Sequence, residues 1–433
     1  MTPPIQPPTP IPSPARPAEP PLAVVGIGAD GWAGLAGPAR EALLAAEVVI
    51  GAPRQLGLLP PEVTADRVEW PSPLRPAVPG LLAAHAGRAV AVLASGDPFH
   101  HGIGRALAET VGAGRLRVLP HPSSLAYACA RLGWPQEDTE VVSAVGRPVE
   151  RVAAALHDGR RLLVLSADAA TPAAVAALLR ERGYGPSELH VLERLGDGTR
   201  ERHLRGTAET WDEAPGDPLN LVAVACRRAP AAPRLGAVPG LPDTAYEHDG
   251  QLTKRHVRAA TLAALAPAPG ELLWDVGGGS GSIGIEWMRA HPACRAVAVE
   301  RDPVRAGRIA RNAHALGVPG LAVATGAAPG ALAGLPGPPD AVFVGGGLTA
   351  PGVLDACWDA LPEGGRLVAN TVTLESEALL ARWYGHHGGE LVRLAVASAV
   401  PVGGFTGWRQ AMPVTQWSVT KATTTHPGTG VTS

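Results

Sequence analysis

Two hydrophobic patterns alternate along this chain. Short apolar runs such as LAVVGI at 22–27, VAVLA at 90–94 and ELLWDV at 271–276 have the length and continuity of strands that are buried on both faces. Between such runs lie segments like PVRAGRIARNAHAL at 303–316, in which apolar residues recur at the spacing of one helical face. Strand-length and helix-length segments in alternation predict an α/β protein built on largely parallel sheets.

The alternation is interrupted in ways that indicate separate domains. It restarts after PHPSS at 120–124, which predicts two α/β lobes with a cleft between them in the first half. The late runs GRLVANTV, ELVRLAVAS and AMPVTQWSVT would complete a seven-stranded sheet in the second half, with the last pair antiparallel. The predicted divisions are a disordered proline-rich tail at 1–20, a first domain at 21–228, a proline- and glycine-rich linker at 229–245, a second domain at 246–420 and a disordered tail at 421–433.

Composition narrows the classes of protein further. A chain of 433 residues is too long for one ordinary core, so two or three domains are expected. The net charge of −2 comes without a basic block, which argues against a nucleic-acid partner. The four cysteines are scattered without a CxxC, so neither a metal site nor a disulfide framework is expected. No signal pattern or membrane-length apolar run occurs, and a cytoplasmic protein without a membrane partner is the expectation.

The run DVGGGSGS at 275–282 stands between a strand-like run and a helix-like one. Glycines allow a tight turn and a close approach of the backbone to a ligand. Glu300 closes the next strand-like run, 19 residues after Gly281, where a carboxylate can accept hydrogen bonds from ribose hydroxyls. The pattern D-V-G-x-G-x-G resembles motif I of class I S-adenosylmethionine methyltransferases. That resemblance implies cofactor contacts from Gly277, Gly278, Gly279, Ser280, Gly281 and Glu300.

Three turns in the first half follow three strand-like runs: VGIGADGW, SGDPFHHG and PHPSSLAYA. Such turns should converge at the carboxyl edge of one sheet, where open α/β sheets bind ligands. The GxGxxG at 26–31 is not expected to be a dinucleotide site, because the next strand ends at Gly51 without an acid. Asp97 before Pro98 has the alternative interpretation of a simple turn initiator.

Together the three turns resemble those of the tetrapyrrole methylase family, which holds S-adenosylmethionine between two α/β lobes. Ala29 replaces the proline that commonly follows the second glycine in this family. The resemblance implies that the cofactor is bound by Gly26, Gly28, Ser95, Gly96, Asp97, Ser123 and Ser124.

Joined in one chain, the two halves resemble the bifunctional, decarboxylating tetrapyrrole methylases of the cobalamin pathway. DGQLTKRHVRAA at 249–260 resembles the leading segment of their second domain, in which a threonine, here Thr253, contacts the cofactor. Ala328 stands near the position of an acid that this family often has after the third strand, so only backbone contacts are implied there. The resemblance implies methylation at C5 by the first domain, and methylation at C15 with loss of the C12 acetate carboxyl by the second.

A small-molecule tetrapyrrole is thus the expected partner, and a homo-oligomer the expected assembly. The turn FVGGG at 343–347 and the strand end ANTVTLES at 369–376 should face this substrate, with Asn370 and Glu375 as candidate catalytic residues. Glu375 has the alternative role of capping the following helix. Arg255 and Arg258 are candidates for binding substrate carboxylates, or else solvated helix arginines.

Two other hypotheses remain open. An RNA methyltransferase would be expected to show a basic surface or an NPPY-type motif after the fourth strand, where this chain has VGGG. Alternatively, the first domain could be a non-catalytic module that docks the tetrapyrrole. Its three complete turn motifs argue against that role.

Overall fold

A computed structural model describes residues 21–422, so both tails predicted to be disordered lie wholly or largely outside the described residues. The described chain divides into two compact units. The first comprises residues up to 138 with 191–204 and 219–221, and the second comprises 139–190, 205–218 and the remainder from 222. No helix within 21–422 is both long and apolar enough to cross a membrane.

The first unit is built on a five-stranded sheet in which every neighbouring pair is parallel, in the order β3-β2-β4-β1-β5. Val24 on one face and Val25 on the other are fully buried, as a strand covered on both sides requires. The elements are β1 (Leu22–Ile27), α1 (Gly31–Gly34), α2 (Gly37–Leu44), β2 (Val48–Gly51), α3 (Pro53–Leu56), β3 (Asp66–Glu69), α4 (Leu74–Ala84), β4 (Val90–Ser95), α5 (Gly104–Val111), β5 (Leu116–Leu119) and α6 (Ser124–Leu132).

A second five-stranded sheet follows, in the order β6-β7-β10-β8-β9. It confirms the prediction that the alternation restarts in the middle of the first half. Its elements are β6 (Thr139–Ser143), α7 (Val152–Ala155), β7 (Arg161–Leu165), α8 (Thr171–Glu181), β8 (Glu188–Glu193), β9 (Arg202–Thr207) and β10 (Asn220–Ala225).

The C-terminal part forms a seven-stranded sheet in the order β13-β12-β11-β14-β15-β19-β16. Only β19 runs against its neighbours, β15 and β16, which confirms the predicted class I methyltransferase sheet. The strands are β11 (Leu272–Val276), β12 (Arg295–Glu300), β13 (Ala322–Thr325), β14 (Ala341–Val344), β15 (Arg366–Thr371), β16 (Glu390–Leu394) and β19 (Val414–Thr420). The helices are α9 (Arg255–Leu265), α10 (Ser282–Ala290), α11 (Pro303–Ala315), α12 (Val353–Ala360) and α13 (Leu374–His387).

Alternate residues of β14 supply the cores on the two faces of this sheet. Phe343 packs with residues of α9, α10 and α11, whereas Val342 and Val344 pack with residues of α12 and α13. A separate hairpin, β17 (Ala397–Val402) with β18 (Phe405–Gln410), follows β16. This hairpin was not predicted, because ELVRLAVAS has the pattern of one continuous strand, whereas β16 ends at Leu394.

Candidate cofactor and substrate sites

The glycine turn of the second unit has the backbone conformation that only glycine adopts freely. Gly277, Gly279 and Gly281 have φ values of 77°, 59° and 77°. A Cβ built at Gly277 would lie 2.6 Å from the backbone nitrogen of Gly346, and one at Gly281 would lie 2.7 Å from Cγ2 of Ile309. The turns after β11 and β14 therefore meet backbone to backbone, and the first also rests on α11.

Glu300 closes β12 beside this turn and is 5% exposed. Its two carboxylate oxygens accept hydrogen bonds from the backbone nitrogens of Gly279 at 2.9 Å and Asp302 at 3.0 Å. Each oxygen can accept a second hydrogen bond. Glu300 thus joins the glycine turn to the start of α11 and keeps acceptor capacity for hydroxyl donors.

The leading segment of the second domain lies against the same turn. Asn312 of α11, which the sequence analysis did not single out, donates to the carbonyls of Ser280 at 2.9 Å and Glu247 at 3.0 Å. A Cβ at Gly279 would lie 3.3 Å from the carbonyl oxygen of Gln251. The Ser280 side chain is buried, and its hydroxyl has no hydrogen-bond partner among the described residues. An unpaired buried hydroxyl is costly, so this turn has polar capacity that a ligand could satisfy.

Two further predicted contacts lie in half-buried positions. Thr253 precedes α9, and its carbonyl oxygen accepts a hydrogen bond from Arg258. Ala328 follows β13 in the loop whose Gly326 nitrogen bonds to the carbonyl of Glu300 at 2.9 Å. That bond ties the Ala328 loop to the end of the strand that carries Glu300.

Asp275, the acid of the DVGGG run, is 1% exposed. Its Oδ2 accepts a hydrogen bond from the backbone nitrogen of Gly284 at 3.0 Å, at the start of α10. Burial raises the pKa of Asp275 to about 7, and the charge of Glu300 adds to this effect. The carboxyl group therefore titrates near neutral pH inside the core.

Arg258 was predicted to be either a substrate ligand or a solvated helix residue, and both predictions are wrong. Its side chain is fully buried and ion-paired with Glu286 at 2.6 Å. Tyr246 and the backbone nitrogens of Gly240 and Leu241 also donate hydrogen bonds to Glu286. Because a buried carboxylate needs such partners, Arg258 serves to neutralise Glu286 in the core and is not available to bind a substrate. Arg255 is exposed, and its assignment stays a prediction.

The structure brings Asn370 together with two residues that sequence reasoning missed. Its Nδ2 donates to Thr261 at 2.8 Å, and its Oδ1 accepts from Gln416 at 2.9 Å. Glu375 is exposed in the first turn of α13, where the Thr373 hydroxyl supplies the N-terminal cap. The Asn370 amide is therefore held in a fixed orientation, whereas the Glu375 carboxylate is accessible to solvent.

The three turns of the first unit converge as predicted. The Gly96 nitrogen donates to the carbonyl of Ile27 at 3.1 Å, and the His121 nitrogen donates to the carbonyl of Gly96 at 3.3 Å. A Cβ at Gly26 would lie 2.0 Å from the Gly96 oxygen, and one at Gly96 would lie 2.8 Å from Cα of Ser123. The carboxyl ends of β1, β4 and β5 therefore form one glycine-lined edge.

The polar side chains at this edge hold the turns in shape. Asp97 accepts from the backbone nitrogen of Phe99 at 2.8 Å, as a turn initiator does. Ser123 caps α6, and Ser124 is exposed in its first turn. The Ser95 hydroxyl accepts from Gln55 at 3.0 Å. These contacts preform the edge, and the predicted cofactor contacts of these side chains stay predictions.

Gly28 lies beside an ionisable pair that the sequence analysis did not identify. His121 is 8% exposed, and its Nε2 is 3.1 Å from Oδ2 of Asp30. Tyr127 of α6 approaches the same oxygen at 3.4 Å. Burial and the charge of Asp30 raise the pKa of Tyr127, which keeps its hydroxyl protonated. Only the fold could reveal this pair, since 91 residues separate its members.

Comparison with known proteins agrees with both halves of the structure. Residues 21–212 match the family of tetrapyrrole (corrin/porphyrin) methylases, and residues 244–421 match the precorrin methyltransferase domain. The two family matches thus define a methyltransferase that joins a tetrapyrrole methylase domain to a precorrin methyltransferase domain.

Relatives match across nearly the whole chain. A precorrin-6Y C(5,15)-methyltransferase [decarboxylating] from Sinorhizobium sp is 50% identical over 92% of this chain and 96% of its own length. One of the same name from Mycobacterium tuberculosis is 50% identical over 92% of this chain and all of its own length. The chain belongs to this precorrin-6Y C5,15-methyltransferase (decarboxylating) family. The crystal structure of the C-terminal domain of the Rhodobacter capsulatus protein is 47% identical, with a TM-score of 0.41, covering 43% of this chain and 100% of its own.

Proposed function

We propose that this chain methylates precorrin-6B (precorrin-6Y) at C5 and C15 and removes the carboxyl group of its C12 acetate, giving precorrin-8X in cobalamin biosynthesis. The observation that carries the proposal is the presence of two independent glycine-lined strand edges in one chain, at Gly26 with Gly96 and at Gly277 with Gly346. The names of the relatives support the same two positions of methylation and the decarboxylation.

S-adenosylmethionine is the proposed methyl donor at both edges, where it supplies an electrophilic methyl group. In the second domain the backbone of Gly277–Gly281, the unpaired Ser280 hydroxyl and the Glu300 carboxylate fit an adenosine-bearing ligand. Thr253 and Ala328 would complete this site. In the first domain the turns at Gly26–Gly28, Ser95–Asp97 and Ser123–Ser124 would hold the second molecule.

We assign C5 methylation to the first domain, residues 21–228, and C15 methylation with decarboxylation to the second, residues 246–420. The cofactor would occupy the ends of β11 and β12, so the substrate would lie toward the ends of β14 and β15. Asn370 is fixed by Thr261 and Gln416, which suits a group that orients a substrate. Glu375 is solvent-accessible in the first turn of α13, the helix that follows β15, and would act beside Asn370.

The chemistry makes modest demands on the protein. The meso carbons of a reduced tetrapyrrole are electron-rich and enamine-like, so alignment of the reacting atoms supplies much of the acceleration. During decarboxylation the conjugated macrocycle accepts the electron pair left by carbon dioxide, and a proton from solvent then completes the methyl group at C12. The residues of this chain therefore have to bind and orient the two reactants and to exclude water from them.

Mass spectrometry of the product formed from precorrin-6B and S-adenosylmethionine tests the proposal. The expected product carries two added methyl groups and has lost one molecule of carbon dioxide. A product with neither change, made by folded protein, would refute the assignment.

We also infer that the chain forms a homo-oligomer. Phe405 and its cross-strand partner Val402 on the β17–β18 hairpin are 84% and 58% exposed, and a patch of exposed apolar side chains is typical of a contact surface. Light scattering after size-exclusion chromatography should give a mass above that of one chain. Phe405→Ser should lower that mass, and a monomeric parent protein would contradict the inference.

A further inference from the structure

The proposed function assigns no role to the pair formed by Asp30 and His121. It is built into the glycine-lined edge of the first unit. A Cβ at Gly28 would lie 2.5 Å from Oδ1 of Asp30 and 2.7 Å from Nε2 of His121. A Cβ at Gly34 would lie 1.9 Å from Oδ2 of Asp30. Both glycines thus leave the space that the Asp30 carboxylate and the His121 ring occupy.

His121 is buried, Asp30 is half-buried, and the pair is incompletely hydrogen-bonded. The His121 side chain is 6% exposed and that of Asp30 is 20% exposed. Oδ1 of Asp30 has no hydrogen-bond partner among the described residues, and the contact from His121 Nε2 is close without the angle of a good hydrogen bond. Polar atoms that lack a hydrogen-bond partner at the ligand-binding edge of a sheet are expected where the substrate supplies that partner.

The orientation of the ring defines what it can do. Nε2 faces the Asp30 carboxylate at 3.1 Å, so Nδ1 is the ring nitrogen on the other side, away from the carboxylate. A carboxylate that faces one ring nitrogen fixes the orientation of the imidazole. We propose that His121, oriented by Asp30, accepts the proton that leaves C5 during methylation in the first domain. This inference rests on the proposed C5 activity.

The proposed reaction transfers one methyl group to C5 and releases one proton. The C5 carbon forms a bond to the methyl carbon, and the bond from methyl to sulfur breaks, with its electron pair staying on sulfur. C5 then carries both hydrogen and methyl, and the macrocycle carries a positive charge. Nδ1 of His121 takes the C5 proton, and the C–H electron pair restores the conjugation. The imidazolium, paired with Asp30, later releases the proton to solvent.

The test uses the full chain with precorrin-6B and S-adenosylmethionine, and it follows C5 methylation and carbon dioxide release separately. His121→Asn should slow C5 methylation by about 10²- to 10⁴-fold, the range for loss of a general base, while carbon dioxide release stays unchanged. Added imidazole should partly rescue a His121→Gly variant. With substrate deuterated at C5, a primary isotope effect should appear or grow in His121→Asn and in Asp30→Asn, which a purely structural role would not produce.

His85→Asn, at the end of α4, is the matched control and should retain C5 methylation. C5 methylation by His121→Asn within about threefold of the parent would overturn the inference, because a general base contributes far more. Loss of cofactor binding to the first domain in both His121→Asn and Asp30→Asn would also overturn it, since the pair would then only shape the site. Absence of C5 methylation in the parent protein refutes instead the proposed function.

Discussion

Replacing Asp275 by asparagine should stabilise the second unit at and above neutral pH. Asp275 lies at the end of β11, is 1% exposed and accepts one hydrogen bond, from Gly284. Burial raises its pKa from the ordinary 3.8 to about 7, so the folded state holds a proton that the unfolded chain releases. Between pH 4 and 7 the folded state binds more protons than the unfolded state, and the free energy of unfolding therefore falls as pH rises through this range.

The size of this destabilisation follows from the shift in the pKa of Asp275. About three pKa units at about 1.4 kcal/mol each give a penalty of about 4 kcal/mol above pH 7, which is an upper bound because buried sites relax. Asparagine keeps the shape and the acceptor oxygen but carries no charge. Asp275→Asn should therefore match the parent protein near pH 4 and exceed its stability by about 2–4 kcal/mol at pH 8.

Urea unfolding at a series of pH values measures the free energy of unfolding. Hydrogen exchange of the β11 amides then reports on stability close to Asp275. Asp340→Asn is the control, because Asp340 also accepts a hydrogen bond at β11, from Leu272 at 2.8 Å, but is half-buried. A stability difference between Asp275→Asn and the parent that does not change from pH 4 to pH 8 would refute the reasoning.

The remaining predictions concern the cofactor, the core and the substrate. Glu300→Ala should weaken cofactor binding in the second domain by about 1–3 kcal/mol in calorimetric titration and leave C5 methylation untouched; equal loss at both sites would contradict the assignment. Arg258→Ala should destabilise the second unit by about 3–5 kcal/mol in urea unfolding, because it leaves Glu286 buried without its ion-pair partner; a loss under about 1 kcal/mol would show that Glu286 is solvated. Asn370→Ala and Glu375→Gln should lower carbon dioxide release and C15 methylation while sparing C5 methylation, and full activity in both variants would place the substrate elsewhere.

The sequence predicted those elements of the fold whose hydrophobic pattern is contained in a short run of residues. Strands β11 and β12 were identified because burial on both faces leaves nearly continuous apolar runs. β3 was missed because its sequence, DRVE, lies at a sheet edge and is largely exposed. Helix α4 was missed as well, and it contains an internal proline at Pro79.

The side chains of the sites were harder to predict than the turns. Arg258 was misassigned because its partner Glu286 is 28 residues away on another helix, and no periodicity links them. His121 and Asp30 meet only because β1 and β5 are adjacent in the sheet. Pairings of this kind depend on strand order, which the sequence expresses only through the completed fold.

The buried Glu286 also determines where this protein can be divided. Its carboxylate accepts hydrogen bonds from the backbone nitrogens of Gly240 and Leu241, upstream of residue 244, where the match to the precorrin methyltransferase domain begins. A fragment trimmed to that match would lose both donors, at a cost of about 1–3 kcal/mol for each. Gene splitting, fusion to other enzymes or crystallisation of the C-terminal half should therefore cut the chain before Gly240.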